Sequence, residues 1–289
     1  MKQKIMRVLV LVAAMLLPLS ASAAIYFGDT PPFDNWSMRP LMRLTVFASG
    51  QSDCMLLEAN GQAMMIDGGS APFRDPLRMA MEARGITSFK YLLNTHYHED
   101  HIEGLYWLMR YGFTADEYLH PYSDTATLVE RHVRTIAQAK RSGIPVTRIF
   151  DGDELLLGEA AIRIYRYTEI KNVNAQSLVA HITFGDSTIL LTADIIGETQ
   201  RYFAQNLLPE QLKADILKAP HHGITPMVDE FLSAVDPDVL LFTSTSKRVT
   251  TGAAQAVRSE LIHYFVGDGT VILETDGTDW YVRQLVGEF

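Results

Sequence analysis

The chain has 289 residues, of which 47% are hydrophobic and 20% charged, so it can bury a sizeable core and is not a disordered polymer. Its 25 Lys and Arg against 34 Asp and Glu give a net charge of −9, which makes it a poor non-specific nucleic-acid binder, because counterion release needs clustered basic residues. The single cysteine, Cys54, excludes an internal disulfide framework and a Cys-rich zinc knuckle.

Residues 1–23 read as a signal peptide. Lys2, Lys4 and Arg7 form a basic start, Val8 to Leu19 an apolar stretch, and Ala21-Ser22-Ala23 a small-x-small cleavage site ahead of Ala24. The apolar run is about a dozen residues, short of the roughly 20 that a membrane-spanning helix needs. The expectation is an exported protein, periplasmic or secreted, with no stable membrane anchor. Losing the three basic residues of the leader takes the net charge from −9 to −12.

Residues 24–41 hold three prolines and predict an irregular N-terminal segment; residues 42–289 predict a single domain. Leu44–Phe47, Cys54–Leu57 and Ala63–Ile66 read as strands, the last two joined by Asn60-Gly61, a strong hairpin signal. Pro76–Arg84 reads as a helix stopped by Gly85, Tyr91–Leu93 as a strand, and Leu105–Tyr111 and Thr125–Arg141 as helices. A strand-rich stretch, Val146–Tyr167, precedes a hairpin of Leu178–Phe184 and Thr188–Thr192 joined at Gly185-Asp186. Then helices at Glu198–Gln205, Met227–Ala234 and Ala253–Ile262 alternate with strands at Asp215–Ala219 and Val239–Phe242, and strands end the chain. Two runs of strands, each followed by strand–helix alternation, predict an α/β protein with two packed sheets and helices outside.

The most informative segment is Thr95-His96-Tyr97-His98-Glu99-Asp100-His101, with three histidines and a carboxylate in six residues. His96 and His98 are two apart and point the same way in an extended loop. Asp100 and His101 sit where a helix begins and turn toward a second point. Such a cluster can serve two metal ions, and imidazole with carboxylate suits Zn²⁺, with Mn or Fe as alternatives.

Four motifs in order, Asp67-Gly68-Gly69, His-x-His-x-Asp-His, Asp194 after Leu190–Ala193, and Ala219-Pro220-His221-His222-Gly223, resemble the metallo-β-lactamase fold superfamily. The resemblance spans about Met42 to Val282 and implies a four-layer αββα fold. It implies that His96 and His98 hold one metal and Asp100 and His101 another. Asp194 would bridge the two ions, and a histidine of the His221-His222 pair would complete the second site. Pro-x-His-Gly favours His222, but either fits. Asp67 would orient the metal loop by hydrogen bonds rather than ligate, the alternative being a plain Asp-Gly turn.

One departure matters. The superfamily commonly supplies a third histidine to the first metal from a loop that here reads Asn172–Val179. His181 lies nearby but inside a strand, on the face opposite Leu178, Ala180 and Ile182, and reads as a surface or partner-facing residue. His120, His132 and His263 have less context still. Without that ligand the chain looks like two branches: the phosphorylcholine esterase of bacterial cell surfaces, and the metallo-hydrolase domain of DNA-uptake channel proteins. Ser49–Asp53, Tyr122-Ser123-Asp124 and Asp151-Gly152-Asp153 resemble the first; Ser244–Arg248 lacks a histidine usual in the second.

The resemblance thus implies a binuclear hydrolase in which a water between the ions is activated and attacks a phosphoester. Asp100 and Asp194 would serve the reaction through the ions. Asn174 or Ser177 would donate a hydrogen bond to a substrate oxygen, unless they only cap the strand. The expected substrate is a small or surface-linked phosphodiester. Alternatives are a lactonase or other carbonyl hydrolase, a nuclease-like domain, and a non-catalytic metal protein. Trp36, Trp107 and Trp280 with Tyr122 would suit an aromatic wall for a quaternary ammonium group, but nothing in the sequence brings them together.

Overall fold

The computed structural model describes residues 23–123, 129–249 and 261–287. Residues 1–22 of the leader therefore lie outside the described residues, as do Asp124, residues 125–128 of the helix expected over Thr125–Arg141, and most of the helix expected over Ala253–Ile262; Ile262 itself begins a strand. Among the described residues no helix is long and apolar enough to cross a membrane.

The first half runs β1 (Ile25–Phe27), β2 (Met42–Val46), β3 (Cys54–Ala59), β4 (Gln62–Gly68), α1 (Arg74–Ala83), β5 (Ser88–Leu93), α2 (Glu99–Arg110), β6 (Thr114–His120), α3 (Glu130–Arg141) and β7 (Val146–Arg148). The second half runs β8 (Glu154–Leu157), β9 (Ala160–Tyr165), β10 (Val179–Phe184), β11 (Ser187–Leu191), α4 (Gly197–Asn206), α5 (Pro209–Leu212), β12 (Ile216–Lys218), α6 (Asp229–Val235), β13 (Val239–Phe242), β14 (Ile262–Phe265), β15 (Thr270–Thr275) and β16 (Trp280–Leu285). One sheet has the order β1-β16-β15-β2-β3-β4-β5-β6-β7, the other β14-β13-β12-β11-β10-β9-β8.

Side-chain alternation assigns the layers. Along β3 and β4, Met55, Leu57, Met64 and Ile66 face a core shared with Ile162, Ile164, Ala180, Ile182 and Leu241 of the other sheet. Their neighbours Cys54, Leu56, Ala63 and Met65 face away, against Leu77 and Met81 of α1 and Leu105 and Leu108 of α2. The second sheet likewise turns Leu190, Leu217 and Leu240 toward Phe203 of α4 and Phe231 and Val235 of α6. Helices, sheet, sheet and helices form the four-layer αββα fold.

Both hairpins form as expected. Asn60 and Gly61 have φ of 49° and 75°, the double left-handed turn that a two-residue hairpin needs, and they set Ala59 opposite Gln62. Two expectations need correction. The segment 24–41 is not wholly irregular: β1 pairs in parallel with β16, and Trp36 is buried with its Nε1 donating to Glu274 Oε2 at 3.2 Å. A three-residue edge strand leaves almost no periodicity to read. Helix α2 starts at Glu99, not Leu105. Its first turn carries Glu99 and Asp100, which favour a helix N-terminus but break the apolar spacing.

One close approach positions the site. Gly104 of α2 lies directly on the end of β4, where an added Cβ would stand 1.8 Å from the Gly68 carbonyl oxygen. Gly104 N–H also donates to the Gly69 carbonyl at 3.1 Å. Only two glycines let the helix start sit this close to Asp67.

Candidate metal centre

The parallel strands β4, β5, β11 and β12 all deliver their C-terminal ends to one rim of the two sheets. Asp67, the penultimate residue of β4, lies in the left-handed region, with φ 51°. Its Oδ1 accepts from Thr95 N–H at 2.8 Å and Asn94 Nδ2 at 3.1 Å. Its Oδ2 accepts from Thr95 Oγ1 at 2.5 Å and meets His101 Nδ1 at 2.7 Å. Asp67 thus pins both the loop after β5 and the first turn of α2. The loop presents His96 and His98, whose Nε2 and Nδ1 atoms lie 3.1 Å apart. His98 is the residue before α2, and the first turn then projects Asp100 and His101.

Asp194, which follows β11, is buried and is the pivot of the centre. Its Oδ1 lies 3.3 Å from His101 Nε2 and 3.4 Å from His222 Nε2, and His222 Nε2 lies 3.3 Å from Asp100 Oδ2. Its Oδ2 lies 3.6 Å from His96 Nε2 and 3.8 Å from His221 Nε2. Groups bound to Zn at about 2.0–2.1 Å in a tetrahedron stand about 3.4 Å apart, so these separations fit ligands around a common ion. His101 Nε2, His222 Nε2 and Asp194 Oδ1 are all buried without a hydrogen-bond partner, as atoms reserved for a cation would be. His96, His98 and Asp194 form a second cluster able to hold an ion.

The His221-His222 pair owes its placement to an unusual backbone. After β12, His221 and His222 adopt (φ, ψ) of (49°, 50°) and (56°, 6°). Each left-handed non-glycine residue costs about 1–3 kcal/mol, and such residues concentrate at functional sites. The turn is fixed by His221 N–H donating to the Ala193 carbonyl at 3.0 Å.

Three residues that sequence reasoning did not assign complete the centre. Asp53 Oδ1 meets His222 Nδ1 at 3.1 Å and Thr243 Oγ1 at 2.6 Å, while its Oδ2 pairs with Lys218 Nζ at 2.6 Å. Lys218, at the end of β12, is fully buried and also donates to the Ala193 carbonyl at 2.7 Å. Asp53 lies close enough to join His101, Asp194 and His222 as a ligand. Its Oδ1 is nonetheless hydrogen-bonded and its Oδ2 faces the Lys218 ammonium, and it reaches His222 through Nδ1, on the far side of the ring from Asp194. It therefore orients His222 as Asp67 orients His101.

The electrostatics follow from this crowding. Burial pushes Asp53 and Asp194 up, but Lys218 and His222 outweigh it at Asp53, and His222 and His101 at Asp194, so both carboxyls stay below the usual range. Burial alone would lower His222 and His101, yet Asp194 holds both above the ordinary imidazole value, His222 up to about 10. Burial lowers His96, His98 and His221 below the ordinary imidazole value.

Asn174 stands half-buried at the rim, with Nδ2 3.3 Å from His221 Nε2. Ser177 is fully enclosed, and its backbone N–H closes a turn on the Asn174 carbonyl at 3.0 Å. His181 is not a surface residue: it is 7% exposed beneath the segment before β12, its Nε2 2.9 Å from the Lys213 carbonyl oxygen. The alternation that faces it away from the inter-sheet core is as expected, but a helical layer covers that face. The three tryptophans do not meet. Trp36 neighbours Tyr281, Trp107 neighbours Tyr106 and Tyr111, and Trp280 donates to Asp215 Oδ2 at 3.0 Å. Tyr122 instead packs 4.8 Å from Tyr97 and 5.2 Å from His132, ring to ring.

A buried His/Asp centre at the strand ends of an αββα fold defines a metallo-hydrolase scaffold. The chain belongs to the metallo-β-lactamase superfamily, whose family profile matches residues 48–243. Members of this superfamily are generally metal-dependent hydrolases. YhfI, a metallo-β-lactamase fold protein from Bacillus subtilis, superposes with a TM-score of 0.53 at 16% identity, over 82% of this chain and 100% of that one. Igni18, a metallo hydrolase from the archaeon Ignicoccus hospitalis, gives 0.50 at 15% identity, over 80% and 98%. The E377D mutant of the CmlA β-hydroxylase gives 0.50 at 15% identity, over 86% of this chain and 54% of that one. At these identities the likeness shows the fold alone. No curated protein matches the sequence.

Proposed function

We propose that this protein is an exported, binuclear metal-dependent phosphoesterase acting on phosphodiesters. The observation that carries the two-ion reading is Asp194, which presents Oδ1 to His101 and His222 and Oδ2 to His96 and His221. When bound, a pair of divalent ions supplies a nucleophile from water at neutral pH and neutralises charge on the phosphoryl oxygens.

The remaining roles belong to the chain. Asp67 and Asp53 fix the rings of His101 and His222, so that each offers its Nε2 lone pair inward. Lys218 holds Asp53 in place. His98, Asp100, Asn174 and His221 are the incompletely buried members of the centre, so substrate enters on their side. There the Asn174 amide is placed to donate to a substrate oxygen, whereas enclosed Ser177 shapes the loop that carries it. The net charge of −9, more negative still without the basic leader, disfavours a polyanionic nucleic acid and supports a small or surface-linked diester.

The test is turnover by the purified mature protein loaded with Zn²⁺ or Mn²⁺, with an activated aryl phosphodiester assayed beside a lactone. Diester cleavage that stops on chelation and returns with metal is expected. Lactone cleavage without diester cleavage would overturn the phosphoesterase reading in favour of carbonyl chemistry. Export has its own readout: the protein recovered from the periplasm or medium should begin at Ala24, and recovery only from the cytoplasm with Met1 intact would refute it.

A further inference from the structure

The two candidate ion positions are unequally supplied. On the Oδ1 side of Asp194, Asp100, His101 and His222 converge with it, which makes four protein ligands. On the Oδ2 side His96 and His98 join it as a tight cluster, which makes three protein ligands and leaves room for one more. Among the described residues His221 is a further ring on that side, with Nε2 3.8 Å from Oδ2.

We infer that the adjacent histidines are divided between the ions, His222 ligating the one shared with Asp100 and His101, and His221 completing the one held by His96 and His98. This rests on the two-ion reading above and deepens it. Successive residues rarely send their side chains to two points a few ångströms apart. The consecutive left-handed conformations at 221 and 222 provide that divergence: His222 is fully enclosed, and the His221 side chain keeps 23% of its surface. Asn174 Nδ2 lies 3.3 Å from the same His221 Nε2 that faces Asp194 Oδ2, so the amide sits at the rim beside this ring.

The division also ranks the ions. His101 and His222 are each backed at Nδ1 by a buried carboxylate, Asp67 and Asp53. His221 Nδ1 is buried without a hydrogen-bond partner. Loss of such support typically weakens metal binding by about 10–100-fold. The ion on the His96, His98 and His221 side is therefore the weaker and more readily exchanged.

Metal analysis and calorimetric titration of the chelator-treated protein with Zn²⁺ test this without any substrate. Asn is the replacement of choice at 221 and 222, because it tolerates the left-handed region and keeps the turn. The wild-type protein should take up two ions in a tight and a weaker step. His221→Asn should weaken only the second step, by at least about tenfold, and His222→Asn should remove the tight one. The His98→Ala/His221→Asn pair should still bind one ion tightly, and the His221→Asn/His222→Asn pair none. A His221→Asn protein that titrates like wild type overturns the division, as does loss of the tight step in the His98→Ala/His221→Asn pair. Uptake of a single ion by the wild-type protein would refute the two-ion reading itself, independently of turnover.

Discussion

Asp194→Ala should empty the centre and reduce turnover by at least about a thousandfold. The stabilisation that a metal ion gives to developing charge amounts to several kcal/mol, and each 1.36 kcal/mol is a factor of ten. Asp194 is a carboxylate whose two oxygens are divided between the two ligand clusters. Its Oδ1 faces His101 and His222, its Oδ2 faces His96 and His221, and it is almost fully buried. Removing it leaves a ring of imidazoles with no shared anion. His98→Ala should act in the same direction but keep one ion, because Asp100, His101 and His222 remain. His181→Ala is the matched control: the ring is buried but engages the Lys213 carbonyl, so metal content and turnover should hold. Metal content measured beside turnover decides the matter. An Asp194→Ala protein that keeps two ions, or a His181→Ala protein that loses them, would show that the centre is built on other residues.

The residues legible in the sequence are those whose role is written locally. His96, His98, Asp100 and His101 lie within six positions, and the loop-to-helix transition alone explains why they diverge toward two points. Asn60-Gly61 is legible for the same reason, because a two-residue turn with both φ positive leaves little choice of residue. The histidine pair was readable as a motif but not as a geometry, since nothing local announces two left-handed residues in succession. Asp53 and Lys218 were not readable. Asp53 meets His222 across 169 positions and Thr243 across 190, so the Ser49–Asp53 stretch, although part of the family resemblance, names neither partner. Lys218 ends a short strand whose neighbours are apolar, where a lysine would ordinarily be taken for a solvent-facing residue. Its signal, if any, is its position two residues before Pro220, at a strand end that the histidine motif already marks.

That unread pair has the largest expected effect on stability. Asp53 and Lys218 are both fully buried, with Nζ 2.6 Å from Oδ2. Removing one partner of such a pair strands the other charge in the interior, which costs about 3–5 kcal/mol. At about 2–4 °C per kcal/mol for a chain of this size, Asp53→Asn or Lys218→Met should lower the melting temperature by roughly 6–20 °C. Asp53→Asn keeps the shape of the side chain, so the loss reports charge rather than a cavity. The double variant Asp53→Asn/Lys218→Met leaves neither charge behind and should melt well above both single variants. Measured in excess chelator, these shifts belong to folding alone. Repeated with Zn²⁺, the Asp53→Asn protein should also show weaker binding in the tight step, because His222 loses the carboxylate that orients it. Single variants within about 1 kcal/mol of wild type would mean that water reaches Lys218, and the pair would then not be the buried support of the His222 side. A double variant no more stable than its singles would place the cost in packing instead. The pair matters twice over, since one contact both neutralises a buried charge and aims a metal ligand. The chelated and metal-loaded melts separate those two roles.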